Sequence, residues 1–180
     1  MSSIAYEEKY TISDYELWEG DWELIYGDAY AMAPSPSFEH QSISGKIHRA
    51  LDEALDTCKK CSVVYECDVE FSDDTVVRPD VMVICYKPKG KLTRSPEIIF
   101  EISSKSTAAR DEILKFDLYA KEGVKYYNLV YPKSRKVKSY ELIEGAYRKI
   151  ADFHDEHYLF ELSKCSIDFD FDFIWSGLTK

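Results

Sequence analysis

The chain has 180 residues, 45% hydrophobic and 14% aromatic, with seven Gly and six Pro; this fits one globular domain over 1–180 and excludes a disordered or fibrous polypeptide. Its formal net charge of −10 works against indiscriminate nucleic-acid binding, so any phosphate recognition has to be local. No run is long or apolar enough for a membrane span, and Met1-Ser2-Ser3-Ile4-Ala5-Tyr6-Glu7-Glu8-Lys9 lacks the basic and apolar parts of a signal peptide, so a cytoplasmic protein with no membrane contact is expected.

In chain order, Ile12 to Trp18 reads as a short helix started at Ser13 or Asp14. Trp22 to Met32 reads as two strands around a turn at Gly27, an N-terminal β-hairpin. Ala33-Pro34-Ser35-Pro36-Ser37 breaks the pattern, and Ile43, Ile47, Leu51, Ala54 and Leu55 then recur at helical spacing, predicting an amphipathic helix from about Glu39 to Asp56. Strands are expected over Ser62–Phe71, Val76–Cys85 and Glu97–Ser103, the first two forming an antiparallel hairpin through Asp73-Asp74. A second helix is predicted from about Ala108 to Glu122, capped by Ser106 or Thr107 and closed by Gly123, with Ile113, Phe116 and Ala120 inward. Strands follow at Tyr126–Tyr131, Val137–Ile143 and Tyr147–Ile150. Finally Ile167, Phe169, Phe171 and Phe173 alternate with Asp168, Asp170 and Asp172, a strand with one apolar face. The order gives a mixed β-sheet with helices on its faces, a single α/β or α+β domain.

Charge and sulfur are unevenly placed. Lys87, Lys89, Lys91 and Arg94 form a basic loop, and Lys133, Arg135, Lys136 and Lys138 a second basic cluster. Five cysteines, Cys58, Cys61, Cys67, Cys85 and Cys165, are an odd number that argues against a complete disulfide framework. Cys85 reads as a small core residue and a reducing compartment fits. Cys58-Lys59-Lys60-Cys61 has zinc spacing, but no second pair follows at a suitable distance, which leaves a zinc site weakly supported. His154-Asp155-Glu156-His157 lacks the spacing of a helical zinc protease, and no serine sits in a nucleophile elbow.

The informative feature is a pair of acids on apolar strands. Asp80 lies in Val76-Val77-Arg78-Pro79-Asp80-Val81-Met82-Val83-Ile84, and Glu101 in Ile98-Ile99-Phe100-Glu101-Ile102. A carboxylate buried in such a strand is costly unless it is paired, hydrogen-bonded or bound to a cation. Two of them on neighbouring strands, followed by lysines, point to a magnesium site for phosphodiester chemistry. The structural alternative pairs Asp80 with Arg78 or a lysine and leaves Glu101 accepting turn amides. Lys115 has one too, since Asp111 precedes it by four residues on a helix.

Taken together with Tyr15-Glu16-Leu17-Trp18, Glu23-Leu24-Ile25-Tyr26-Gly27-Asp28, Ser35-Pro36-Ser37-Phe38-Glu39-His40-Gln41, Glu101-Ile102-Ser103-Ser104-Lys105-Ser106-Thr107 and Gly123-Val124-Lys125-Tyr126-Tyr127-Asn128, the sequence resembles the Uma2 group of the PD-(D/E)XK nuclease superfamily from about Tyr10 to Leu178. The resemblance implies a restriction-endonuclease-like fold, a mixed β-sheet flanked by helices with a divalent metal, Mg2+ or Mn2+, at its centre. It implies Asp80 and Glu101 as metal ligands with the Ile102 carbonyl. The superfamily's lysine position is Ser103 here, and Lys115 looks like its replacement as catalytic lysine. Arg78, Lys105 and His40 are candidates for substrate contact, and Glu23 for a supporting carboxylate. Lys105 stands where the family commonly has proline, and Tyr26 where an Asp often precedes the turn glycine. The implied activity is a magnesium-dependent endonuclease acting on nucleic acid, with DNA the expected substrate; because cutting two strands calls for two sites, a homodimer is expected. The alternative is a catalytically inactive nuclease fold that binds nucleic acid or serves as a dimeric scaffold.

Overall fold

A computed structural model gives the fold and describes residues 8–32, 35–104 and 109–178. Its centre is a six-stranded mixed sheet. In chain order its strands are β3 (Ser62–Tyr65), β6 (Val81–Ile84), β7 (Ile98–Ile102), β8 (Tyr126–Tyr131), β9 (Lys136–Ile143) and β10 (Ala146–Phe153), and in space they run β10-β9-β8-β7-β6-β3. Only β7 and β8 are parallel; the connection between them carries helix α3 (Lys115–Lys121), as a parallel pair requires. A smaller antiparallel sheet holds β1 (Trp22–Ile25), β2 (Asp28–Ala31), β4 (Val69–Ser72) and β5 (Thr75–Val77) in the order β2-β1-β5-β4. The hairpin of β11 (His157–Glu161) and β12 (Ser166–Asp170) stands apart, and no helix among the described residues is long and apolar enough to cross a membrane.

Alternation along the strands builds two cores. One face of the large sheet offers Val81, Val83, Ile98 and Phe100 to Ile43, Ile47 and Leu51 of helix α2 (Phe38–Ala54) and to Phe160, Ile167 and Phe169 of the β11–β12 hairpin. The other face offers Met82, Ile84, Ile99 and Tyr127 to Leu118 and Tyr119 of α3 and to Ile25 and Val77 of the small sheet. This second face is the one that also carries Glu101, two residues beyond Ile99.

Several local details differ from the sequence expectation. The short first helix, α1, spans Ile12–Tyr15 and is opened by Thr11, whose N–H donates to Asp14 Oδ2 at 2.8 Å. The hairpin expected from Ser62 to Cys85 is split between two sheets: β4 pairs with β5, and β3 with β6. The break falls at Glu66, held at φ 47°, and at Arg78-Pro79, where proline has no N–H for the ladder. At the N-terminal hairpin both Tyr26 and Gly27 have positive φ, 53° and 80°, the pattern of a tight primed turn, so tyrosine is accommodated there. Ile113, expected inward, is 66% exposed. A wide π-type turn at Arg110–Leu114 precedes α3 and rotates the face, burying Asp111, Lys115, Leu118 and Tyr119 instead. The expected helix cap at Ser106 or Thr107 lies outside the described residues.

The cysteines are the largest correction. Cys58 is bonded to Cys165 and Cys61 to Cys85, while Cys67 keeps its thiol. Three chain segments far apart in sequence meet there, which residue spacing along the chain does not disclose. Cys85, read as core, sits half-buried just past the end of β6.

Candidate active site

The two strand acids meet by register. Val81 faces Phe100 across the antiparallel β6–β7 pair, so the next step of the ladder sets Asp80 beside Glu101 on one face of the sheet. Asp80 Oδ2 accepts a 2.6 Å hydrogen bond from the Ile102 N–H, and Oδ1 lies 3.3 Å from His40 Nε2. Glu101 is buried. Its Oε1 accepts from Lys115 Nζ at 2.9 Å and from the Tyr119 hydroxyl at 2.8 Å, and Oε2 has no hydrogen bond among the described residues.

Lys115, also buried, is the hub. Its ammonium lies 2.7 Å from Glu23 Oε1, 2.9 Å from Glu101 Oε1 and 3.8 Å from Asp111 Oδ1. Glu23, on β1, also accepts the Arg78 backbone N–H at 3.0 Å and the Arg110 guanidinium at 3.2 Å. The small sheet, the large sheet and α3 are thus joined through one lysine.

A cavity of about 470 Å³ opens over this cluster, lined by Asp80, Glu101, Ile102, Lys115, His40 and Glu23 among others. Arg78 also lines it, but its guanidinium is tied to Asp68 at 2.7 Å and Asp21 at 2.6 Å. Lys105 lies outside the described residues. Asp111 and Arg110 also line it; the sequence signal for Asp111 is its place four residues before Lys115, which also fits an exposed helical pair. Its burial follows from the π-type turn.

The electrostatics match a cation site. Burial pushes the Glu101 carboxyl well above the usual carboxylate range; Lys115 opposes that shift, and Asp80, Asp111 and Glu23 reinforce it. Burial alone would lower Lys115, but Glu101, Glu23 and Asp111 outweigh it and hold the ammonium well above its ordinary value. His40 is also raised: burial disfavours its charge, and the hydrogen bond and charge of Asp80 prevail. Its Nδ1 is buried with no hydrogen-bond partner among the described residues. The acids lining the cavity, Asp21, Glu23, Glu66, Asp80, Glu101 and Asp111, outnumber its cations Arg78, Arg110 and Lys115. An all-oxygen donor set with surplus negative charge fits a hard divalent ion such as Mg2+.

The Uma2 family, described as "putative restriction endonuclease", matches residues 12–163. The chain belongs to the Uma2 family. A solved structure with the same fold is that of a protein described as a putative nuclease belonging to DUF820, from Anabaena variabilis; it is 16% identical, with a TM-score of 0.74 over 92% of this chain and 97% of that one. No curated protein matches the sequence. The Uma2 chain is therefore a member of a restriction-endonuclease-like nuclease family with the nuclease fold.

Proposed function

We propose that this Uma2 protein is a divalent-metal-dependent endonuclease that hydrolyses phosphodiester bonds of DNA, with Asp80, Glu101 and the Ile102 carbonyl holding Mg2+ or Mn2+. One observation carries the reading: two carboxylates of adjacent central strands lie side by side at a cavity, with a buried lysine bonded to one of them. A bound divalent ion would polarise the phosphoryl oxygens and acidify the attacking water.

The protein's own groups do the rest. Lys115, kept cationic by its carboxylates, is a poor general base in this state. It fixes Glu101 by occupying Oε1 and adds positive charge beside a bound phosphate. Tyr119 holds the same oxygen from the second side. His40 orients Asp80 through Oδ1 while the Ile102 N–H holds Oδ2. Phosphate contact is assigned to Lys105; the Arg78 guanidinium, expected to share that role, is already held by Asp68 and Asp21 and serves to fix the strand that leads to Asp80. Cutting both strands of a duplex calls for two sites, which a homodimer would supply.

The test is calorimetric titration of Mg2+ and Mn2+ into wild type and an Asp80→Ala/Glu101→Ala variant, followed by cleavage assays on plasmid DNA. Metal binding and cleavage that both vanish in the variant support the proposal. Equal metal binding by the two proteins would overturn it and favour a nucleic-acid-binding or scaffold role on the nuclease fold.

A further inference from the structure

Away from the acidic cavity, the sulfurs of Cys58, Cys61 and Cys165 converge, with Cys85 joined to them through its bond to Cys61, where the α2–β3 connection, the end of β6 and the β11–β12 turn meet. Cys58 and Cys61 are buried in the first of these, and Cys61 lies opposite Cys85, one register step beyond the Ser62–Ile84 pair. Cys165 sits in the hairpin turn, its backbone carbonyl accepting the Leu162 N–H at 2.8 Å. Besides the two bonded pairs, Cys61 Sγ lies 3.8 Å from Cys165 Sγ, and the sulfurs of Cys58, Cys61 and Cys165 are all within 4.8 Å of one another.

That spacing has a second meaning. A tetrahedral zinc–thiolate centre with Zn–S of roughly 2.3 Å has sulfur–sulfur edges of about 3.8 Å. The cluster also has the Cys-x-x-Cys element usual in such centres, from Cys58 and Cys61. A second pair of ligands would come from Cys165, already in the cluster, and from Cys85, bonded to Cys61, and not from a second motif. Four thiolates on one zinc leave a double negative charge. Lys59, Lys60 and Lys164, all exposed, each adjoin one of these cysteines in sequence, and such neighbours favour the thiolate form.

We propose that Cys58, Cys61, Cys85 and Cys165 form a structural zinc site in the reduced chain, of which the two disulfides are the oxidised form. Conversion is balanced: each S–S bond takes two electrons and two protons from a dithiol reductant, which closes to its own disulfide. The four thiols then release four protons as their thiolates bind zinc. All four donors are protein sulfurs, so the site is closed and its role is to tie α2 and the β11–β12 hairpin to the sheet.

Cobalt titration of the reduced, metal-free full chain tests this, because Co2+ bound by thiolates gives a sulfur-to-metal charge-transfer band that carboxylate ligands do not. The expected result is that band with tetrahedral visible absorption, saturating at one equivalent and displaced by one equivalent of Zn2+. Cys67→Ser should keep it, and Cys85→Ser and Cys165→Ser should each bind at least tenfold more weakly. In wild type with zinc, only Cys67 should react promptly with a thiol reagent. Cobalt bound with no thiolate band, or five equally reactive thiols in the presence of zinc, overturns the proposal. Neither readout involves Asp80 or Glu101, so failure here leaves the nuclease reading standing.

Discussion

Strand β6 has a different kind of cluster at each end. Asp80 precedes it and Cys85 follows it, about 17 Å apart at some 3.3 Å per residue. At the first end opposite charges hold three layers together around Lys115; at the other, sulfurs join three segments at the sheet margin. Both are cross-links, but they act on different states. The charge cluster is costly to assemble and costlier to leave half-assembled, because each remaining carboxylate stays buried. The disulfides act in good part by restricting the unfolded chain. The same strand thus shows stabilisation that depends on native desolvation at one end and on chain connectivity at the other.

Lys115→Ala should break the comparison most sharply. Glu23 and Glu101 would remain buried without their shared cation, at an expected cost of about 3–5 kcal/mol in urea unfolding. A companion Glu101→Gln change should return part of that loss. If Lys115→Ala costs no more than a surface substitution, the charge cluster is not what joins α3 to the two sheets. Next in size is reduction of the disulfides by a dithiol with a chelator present. The Cys58–Cys165 link spans 107 residues, and reduction should lower stability by about 2–5 kcal/mol, with zinc restoring most of it. The two losses should add to within about 0.5 kcal/mol, since the clusters share no partner. A larger coupling energy would mean that β6 transmits between its ends.

The two ends were not equally readable from sequence. Asp80 and Glu101 stand out because a carboxylate inside an apolar strand contradicts its surroundings, and their strands are neighbours in chain order. The mixed sheet, the N-terminal hairpin and helix α2 follow from periodicity for the same local reason. The cysteine cluster joins Cys61 to a residue 104 positions away, and no local pattern encodes that meeting. Asp111 was hidden differently: its spacing to Lys115 is that of an exposed helical pair, and only the π-type turn at Arg110–Leu114 turns both inward. The split of the long Ser62–Cys85 hairpin was signalled by Pro79 alone, since a left-handed Glu66 gives no compositional sign.

A smaller effect is expected at His40, whose Nε2 lies 3.3 Å from Asp80 Oδ1. His40→Ala should weaken Mn2+ binding by about 10–100-fold, as loss of a ligand-orienting partner does, while the unfolding midpoint in urea moves little. Calorimetry and unfolding on one preparation separate these readouts. Unchanged Mn2+ affinity would show that the Ile102 N–H alone fixes Asp80.

The smallest effect concerns the basic loop that follows β6 and lies in sequence between the two strands of the site. Its lysines read as a phosphate-binding face, but Lys91 is 2.7 Å from both Glu16 and Glu70. A cation that already neutralises two carboxylates releases few counterions when a phosphate approaches, because the carboxylates compete for it. Lys91→Ala should therefore leave the salt dependence of DNA binding unchanged. A cation that contacts phosphate directly would instead reduce the slope of log affinity against log salt by about one when removed. Measuring that slope for Lys91→Ala and for Lys105→Ala on the same duplex compares the paired lysine with the one assigned to substrate. A reduced slope for Lys91 and not for Lys105 would move the phosphate contact from Lys105 to the loop.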